Sequence, residues 1–485
     1  MRHFVLLFGL TFFCGLLVSP ARAQQTAALQ QTEQPEGPTL EEAATAIDRY
    51  VAKPEPAYRW TLDEKTEQGG ITIYRMELTS QVWQDITWKH SLTVYEPASL
   101  AIDDHAILFI SGGSGDGQPR IDEHLLAISI ANLAGGRVAM LKHVPNQPLL
   151  DGRKEDDLIS ESWLRYLETG DENWPLLFPM VKSAVKAMDA VNELSIQEKW
   201  SQPIEKFVVT GASKRGWTSW LTPVVDERVV ATAPIVIDTL RFREQMSHQI
   251  KSWGAFSPQI ADYTSKGLVT AGDEPETPRR AALLTMMDPW TYRDRLSLPK
   301  LIINGTNDPY WVLDAAKFYY GDLQGTKNIL EIPNAGHSLN GGRSLAIAGL
   351  AALFRATAQG RTLPSVTWEF KADTKDGHSI QFQSDPPARV ARLWTATSST
   401  NDFRQSNWNS QTISGQEGRF ETTLPTPEED DTRVAVFGEL EFVDNSISPP
   451  LTYSLSTIVK QFSPRNSDAI AEPTAPETEL PAASR

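Results

Sequence analysis

The sequence has 485 residues, room for a large enzyme domain with an accessory module and too much for one small binding domain. Its 40% hydrophobic and 22% charged composition supplies core material that a disordered chain lacks. With 61 acidic against 45 basic side chains the net charge is −16, a balance that repels phosphate backbones and excludes nucleic acid as an expected partner.

The first element is an apolar run over residues 4–18, preceded by Arg2 and His3 and followed by Ala21-Arg22-Ala23. It is short for a membrane span and has the charge and small-residue flanks of a signal peptide over residues 1–23, cleaved before Gln24. The expectation is an exported protein, periplasmic or secreted, with no stable membrane span after leader cleavage. The single cysteine, Cys14, lies in that leader, so the mature chain has no disulfide or thiol chemistry. Residues 24–46, rich in Gln, Glu, Thr and Ala without an apolar period, read as a disordered segment; so does the Pro- and Glu-rich tail 463–485.

Between them, residues 47–360 alternate short apolar runs with helical patterns. Strands are predicted at 71–78, 90–95, 106–110, 137–141, 207–210, 233–237, 300–303 and 328–332, several of them continuously apolar, as strands covered on both faces are. A 3.6-residue period over 179–193 is one of the intervening helices. The fold class is therefore α/β, a mostly parallel sheet flanked by helices, with the first two strands antiparallel. Residues 239–298 interrupt the alternation and read as a cap, in which Trp253, Phe256, Trp290 and Tyr292 are candidates to enclose substrate. After residue 361 the period changes to two, and six or seven short runs over 361–462 predict a C-terminal all-β sandwich, Ig- or FnIII-like, with its own core.

The chemistry concentrates at Thr210-Gly211-Ala212-Ser213-Lys214-Arg215-Gly216, a serine between an apolar strand and a helical run. Strand, sharp turn with serine, helix is the nucleophile elbow, although the usual G-x-S-x-G becomes G-x-S-x-x-G here. Taken alone, Ser213 also fits a helix N-cap. Downstream, His337 follows the strand 328–332, and Asp308 follows the strand 300–303, giving the order Ser, Asp, His that this fold requires. Asp308-Pro309 equally fits an N-cap with Pro at the first helical position, and the two roles can coexist. Asp238, after 233–237, is the alternative acid. Ser111-Gly112-Gly113-Ser114-Gly115 leaves a strand upstream of the elbow, so Gly113 and the Lys214 N–H are the candidate oxyanion donors. His143 could reach the site, a structural role being the stronger reading. Ser183-Ala184-Val185-Lys186 has no partner motif, and Trp368, Trp394 and Trp408 read as packing rather than sugar binding. No motif implies a metal or cofactor.

Gly-Ala-Ser-Lys-Arg-Gly-Trp at 211–217, Phe-Ile-Ser-Gly-Gly at 109–113, Val-Pro-Asn-Gln-Pro at 144–148, Asn-Gly-Thr-Asn-Asp at 304–308 and Ala-Gly-His-Ser at 335–338 resemble the PhoPQ-activated pathogenicity-related protein family. The resemblance spans about residues 47–462 and implies an α/β-hydrolase fold in an exported bacterial protein, with hydrolysis of a small-molecule or peptide substrate as the expected activity. The expectation is a serine hydrolase cleaving a peptide or ester bond through an acyl-enzyme on Ser213. The alternative is a binding or signalling protein on the same scaffold.

Overall fold

A computed structural model describes residues 37–113, 120–270, 276–374, 377–425 and 432–462. The predicted leader, most of the predicted N-terminal disordered segment, Ser114 and Gly115, and the predicted tail 463–485 lie outside the described residues. Residues 37–46 correct the expectation of disorder. Thr39 caps the helix Leu40–Ala44 in a reciprocal box with Glu42, and Ala43 and Ala46 are buried against the main core. The Thr-x-x-Glu spacing signals such a start even where composition is polar.

Three antiparallel strands open the sheet: β1 (Arg59–Gln68), β2 (Ile71–Trp83) and β3 (Ile86–Glu96). Strand β1 carries no apolar pattern because its residues are rich in charge and mostly exposed, as suits an edge strand. Then come β4 (His105–Ile110), β5 (Arg137–Leu141), β6 (Lys206–Ala212), β7 (Val229–Ile235), β8 (Lys300–Gly305) and β9 (Lys327–Ile332), paired in parallel in the order β5-β4-β6-β7-β8-β9. Alternate residues of β4 enter different cores, Leu108 and Ile110 on one face and Ile107 on the other. Helices Leu177–Gln197 and Lys214–Val225 cover the first face, Ile121–Ala134 and Arg343–Ala358 the second. This two-sided burial explains why these strands read as unbroken apolar runs. Among the described residues no helix is long and apolar enough to cross a membrane.

The C-terminal strands are β10 (Ser365–Thr374), β11 (Gly377–Asp385), β12 (Val390–Ser398), β13 (Asn409–Thr412), β14 (Gly415–Gln416), β15 (Arg419–Leu424), β16 (Arg433–Asp444), β17 (Leu451–Ser456) and β18 (Lys460–Phe462). They fall in two sheets, β10-β11-β15-β14 on its own and β17-β16-β12-β13 with β18 paired to β16, and Phe382 of the first sheet packs on Gly438 of the second. The second of these is not separate from the main sheet. Strand β17 pairs antiparallel with β9, Ser456 opposite Ile329, and Ser456 Oγ accepts the Glu331 N–H at 2.9 Å. Ile380, Phe382, Leu393 and Leu440 share one apolar cluster with Leu330, Leu350 and Phe354. The expected independent core is thus replaced by a shared one, because the edge of β9 would otherwise expose unpaired main-chain groups.

Candidate active site

Strand β6 ends at Ala212, and the next helix begins at Lys214. Ser213 makes the turn between them with φ 58° and ψ −125°, a conformation that residues with a Cβ avoid. Its N–H donates to Ile235 O of β7 at 2.8 Å and so fixes the turn to the neighbouring strand. The glycine at the third position after the serine has a steric cause. A Cβ on Gly216 would stand 2.6 Å from Ile237 Cγ2 and 2.9 Å from Gly211 O, so the helix and strands require glycine at that third position. Arg215, at the second, is buried and donates to both carboxylate oxygens of Glu155 at 2.7 and 2.8 Å. Burial raises the Glu155 carboxyl, but the Arg215 hydrogen bonds and the charges of Arg215 and Lys214 outweigh it and bring the pKa to about 2.

The parallel register of β4 and β6, Ile110 opposite Gly211, sets the glycine loop beside the elbow. A Cβ on Gly112 would fall 2.3 Å from the Arg215 guanidinium, so the sequence's Gly112 and Arg215 depend on each other. Segment 143–148 backs this loop: His143 N–H donates to Gly112 O at 3.1 Å, and Gln147 Nε2 to Gly113 O at 3.3 Å. His143 is buried in that supporting role. Gly113 has φ 113°, and the Lys214 N–H is the first amide of its helix, without an intrahelical acceptor.

Strands β8 and β9 run in parallel with Gly305 opposite Ile332, so the loops after them meet. There Asp308 Oδ2 accepts from His337 Nδ1 at 2.7 Å. Asp308 Oδ1 accepts the Tyr310 N–H at 2.8 Å, so the side chain also caps, as its pairing with Pro309 suggests. It caps a turn rather than the expected helix; the chain reaches its next helical turn only at Ala315–Phe318. The His337 Nδ1–H bond to a carboxylate leaves Nε2 as the imidazole's basic atom. That Nε2 is buried and makes no hydrogen bond among the described residues, to Ser213 or any other group. Nucleophile–base contacts of this type commonly tighten only around substrate. The Tyr310 ring lies against His337, centroids 4.2 Å apart, and lines the same cleft as Ser213.

Asp238 makes no hydrogen bond to His337. It is 4% exposed, with Asn304 Nδ2 3.4 Å from Oδ2. Burial pushes its carboxyl up to about 7; the Tyr319 hydroxyl opposes the rise, and the charges of Asp308 and Asp314 add to it. Between pH 4 and 7 the folded state therefore keeps a proton that the unfolded chain has released, so this group erodes stability as pH rises through that window and no further above it. Asp238→Asn is expected to retain activity and to raise stability at pH 8, by up to roughly 4 kcal/mol, with almost no gain at pH 4. Thermal unfolding of both proteins at the two pH values checks the sign. A folded Asp238→Asn variant without activity would make Asp238 the candidate acid in place of Asp308.

A narrow cleft opens at Ser213. Its wall is mostly apolar, formed by Trp217, Phe242, Met246, Ile260, Val269 and Trp311, with Asp156 and Tyr263 at the polar end. Asp156 is held by Lys214 Nζ at 2.8 Å and by the Tyr263 hydroxyl at 3.0 Å. The insertion between β7 and β8 thus supplies part of the wall, but through residues other than those picked for aromatic content. Trp253 lies under the Arg404 guanidinium at 4.0 Å, and Phe256 packs half-buried on the core. Trp290 is flanked by Arg241 and Arg293, while Tyr292 is buried with its hydroxyl donating to Met286 O. None of these four lines the cleft. Tyr310 and Trp311 were visible as an aromatic pair directly after Asp308-Pro309; Asp156 and Tyr263 carried no local signal. Among the described residues no group of three His, Cys, Asp or Glu is placed to hold a metal ion.

The family model of the PhoPQ-activated pathogenicity-related protein matches residues 47–404. The chain belongs to this family. A relative, autocrine proliferation repressor protein A of Dictyostelium discoideum, is 34% identical over 383 residues, covering 74% of this chain and 76% of its own. Among solved structures, an acetyl xylan esterase from a Paenibacillus species is similar at 14% identity and a TM-score of 0.44, covering 64% of this family member and 92% of the esterase. Acetyl xylan esterase 1 from a Thermoanaerobacterium species is similar at 16% identity and a TM-score of 0.45, covering 65% and 95%.

Proposed function

We propose that this protein is an exported serine hydrolase that cleaves an ester or peptide bond through an acyl-enzyme on Ser213. The observation that carries the reading is the 2.7 Å pair of Asp308 and His337 on the loops after consecutive parallel strands, with Tyr310 packed on His337 and lining the same cleft as a serine on a strained elbow. Ser213 Oγ attacks the substrate carbonyl while His337 Nε2 takes its proton; Asp308 holds the tautomer and stabilises the imidazolium. The N–H groups of Lys214 and Gly113 receive the oxyanion. The imidazolium then protonates the leaving group, and water attacks the acyl-enzyme with His337 as base again. The leader at residues 1–23 supports export to the periplasm or beyond.

A second reading, a signalling protein on a hydrolase scaffold, is favoured by the relative named as a proliferation repressor and by the absence of a Ser213–His337 hydrogen bond. Reaction of the purified full chain with a fluorophosphonate separates the two. The hydrolase is labelled, and Ser213→Ala is not; a folded wild-type chain that stays unlabelled belongs to the second reading.

The apolar wall supports a neutral, apolar acyl group as the preferred one. Across p-nitrophenyl esters of increasing chain length, kcat/KM is expected to rise about fourfold per methylene until the cleft is full, the gain from burying about 0.8 kcal/mol per CH₂. Met246→Trp, which narrows the cleft, should remove the gain for long chains and spare the acetate. Equal kcat/KM along the series would place the acyl group elsewhere.

A further inference from the structure

We infer that loop 399–408, between β12 and β13, is a positioning element of the catalytic site, clamping together the loops that carry Asp308 and His337. The inference rests on the hydrolase reading above and gives the C-terminal strands a part in it.

Asn307, adjacent to Asp308, donates through Nδ2 to the carbonyls of Ser406 at 2.8 Å, Arg404 at 3.2 Å and Phe403 at 3.5 Å. Asn334, three residues before His337, pairs both ways with Trp408: Nδ2 donates to Trp408 O at 3.0 Å, and Oδ1 accepts the Trp408 N–H at 2.7 Å. Asn334 has φ 57°, a left-handed conformation that asparagine tolerates better than most residues. Thr306 joins the two sides. Its Oγ1 accepts the Asn334 N–H at 3.0 Å and donates to Asn307 Oδ1 at 2.8 Å. The Asn307 N–H donates to Ala335 O at 2.9 Å and closes the ring.

The clamping loop is itself anchored. Phe403 and Trp408 are buried, and Trp408 packs on Phe437 of β16 at 5.2 Å between centroids. Arg404, held by Asp402, lies over Trp253 of the insertion. Two side-chain amides, one residue from the acid and three from the base, therefore spend their hydrogen bonds on main-chain groups of one rigid loop. Such bonds fix where a loop sits, and misplacing a catalytic group by about 1 Å costs on the order of 100-fold in rate. The loop touches no reacting atom; the main-chain groups of Phe403, Arg404, Ser406 and Trp408 act through Asn307 and Asn334 on Asp308 and His337.

The test compares wild type, Asn307→Ala, Asn334→Ala and Gln405→Ala as full chains on a p-nitrophenyl ester, with fluorophosphonate labelling of Ser213 checked on separate aliquots. Gln405 is exposed in the same loop and serves as the control. Expected are a fall in kcat of about 10- to 100-fold for either asparagine variant, KM within about twofold, and unchanged kinetics for Gln405→Ala. A merely structural role lowers Tm without altering the base. The clamp predicts in addition that the acid limb of kcat/KM moves to lower pH, because a displaced Asp308 no longer stabilises the imidazolium. Should an alanine variant fail to fold, Asn334→Asp, which keeps the acceptor for the Trp408 N–H and loses the donor, carries the same readouts. Folded variants with wild-type kcat and acid limb overturn the clamp alone. A wild-type chain that is never labelled overturns the hydrolase reading and the clamp with it.

Discussion

Ser213→Ala is expected to lower kcat by about 10⁵- to 10⁶-fold and to leave the thermal midpoint within experimental scatter, since removing a triad serine costs as much as removing the triad. The Ser213 hydroxyl donates to no group among the described residues, whereas the backbone that creates the elbow is held by the N–H bond to Ile235 O and by the close approaches at Gly216. Alanine keeps that backbone with the same strain at φ 58°. Steady-state hydrolysis of an ester that wild type turns over, with unfolding followed on the same samples, measures both quantities. Turnover by the folded variant within tenfold of wild type would remove Ser213 from the chemistry.

Asp308→Asn is expected to lower kcat by about 10⁴-fold, because an amide presented to His337 Nδ1 favours the wrong tautomer and cannot stabilise the imidazolium. Asparagine retains an oxygen for the Tyr310 N–H, so stability should change little; Asp308→Ala, which loses that acceptor, should cost about 1 kcal/mol more. The pair of variants separates orienting from capping. Near-normal turnover in Asp308→Asn, with the stability loss confined to Asp308→Ala, would leave the residue only its capping role.

The parallel strands are legible because two-sided burial writes continuous apolar runs, and the candidate residues Ser213, Asp308 and His337 follow where those runs end. Register then does what sequence spacing implies: Gly305 opposite Ile332 brings positions 308 and 337 to one edge although 29 residues separate them. The cleft wall was not legible. Aromatic density in 239–298 drew attention to Trp290 and Tyr292, but those residues pack the return segment Pro289–Arg295, while Phe242, Met246 and Ile260 face Ser213. Direction is a tertiary property, and a residue count does not contain it. The joining of β17 to β9 escaped for a similar reason. Period-two alternation marks strands after residue 361, yet nothing local in Leu451–Ser456 names its partner. Arg215 carries no local signal of its role, since its partners, the Glu155 carboxylate and the Val144 carbonyl, lie on other elements.

The central claim, a covalent acyl-enzyme on Ser213, is tested most directly by mixing the full chain with a slowly deacylating p-nitrophenyl ester, quenching in acid within the first turnover, and measuring the mass of the intact protein and of its peptides. The expected result is a mass increase of one acyl group, borne by the peptide containing Ser213 and appearing with a stoichiometric burst of p-nitrophenol. Turnover with no acylated protein at any quench time, or an acyl group on a peptide lacking Ser213, would contradict it.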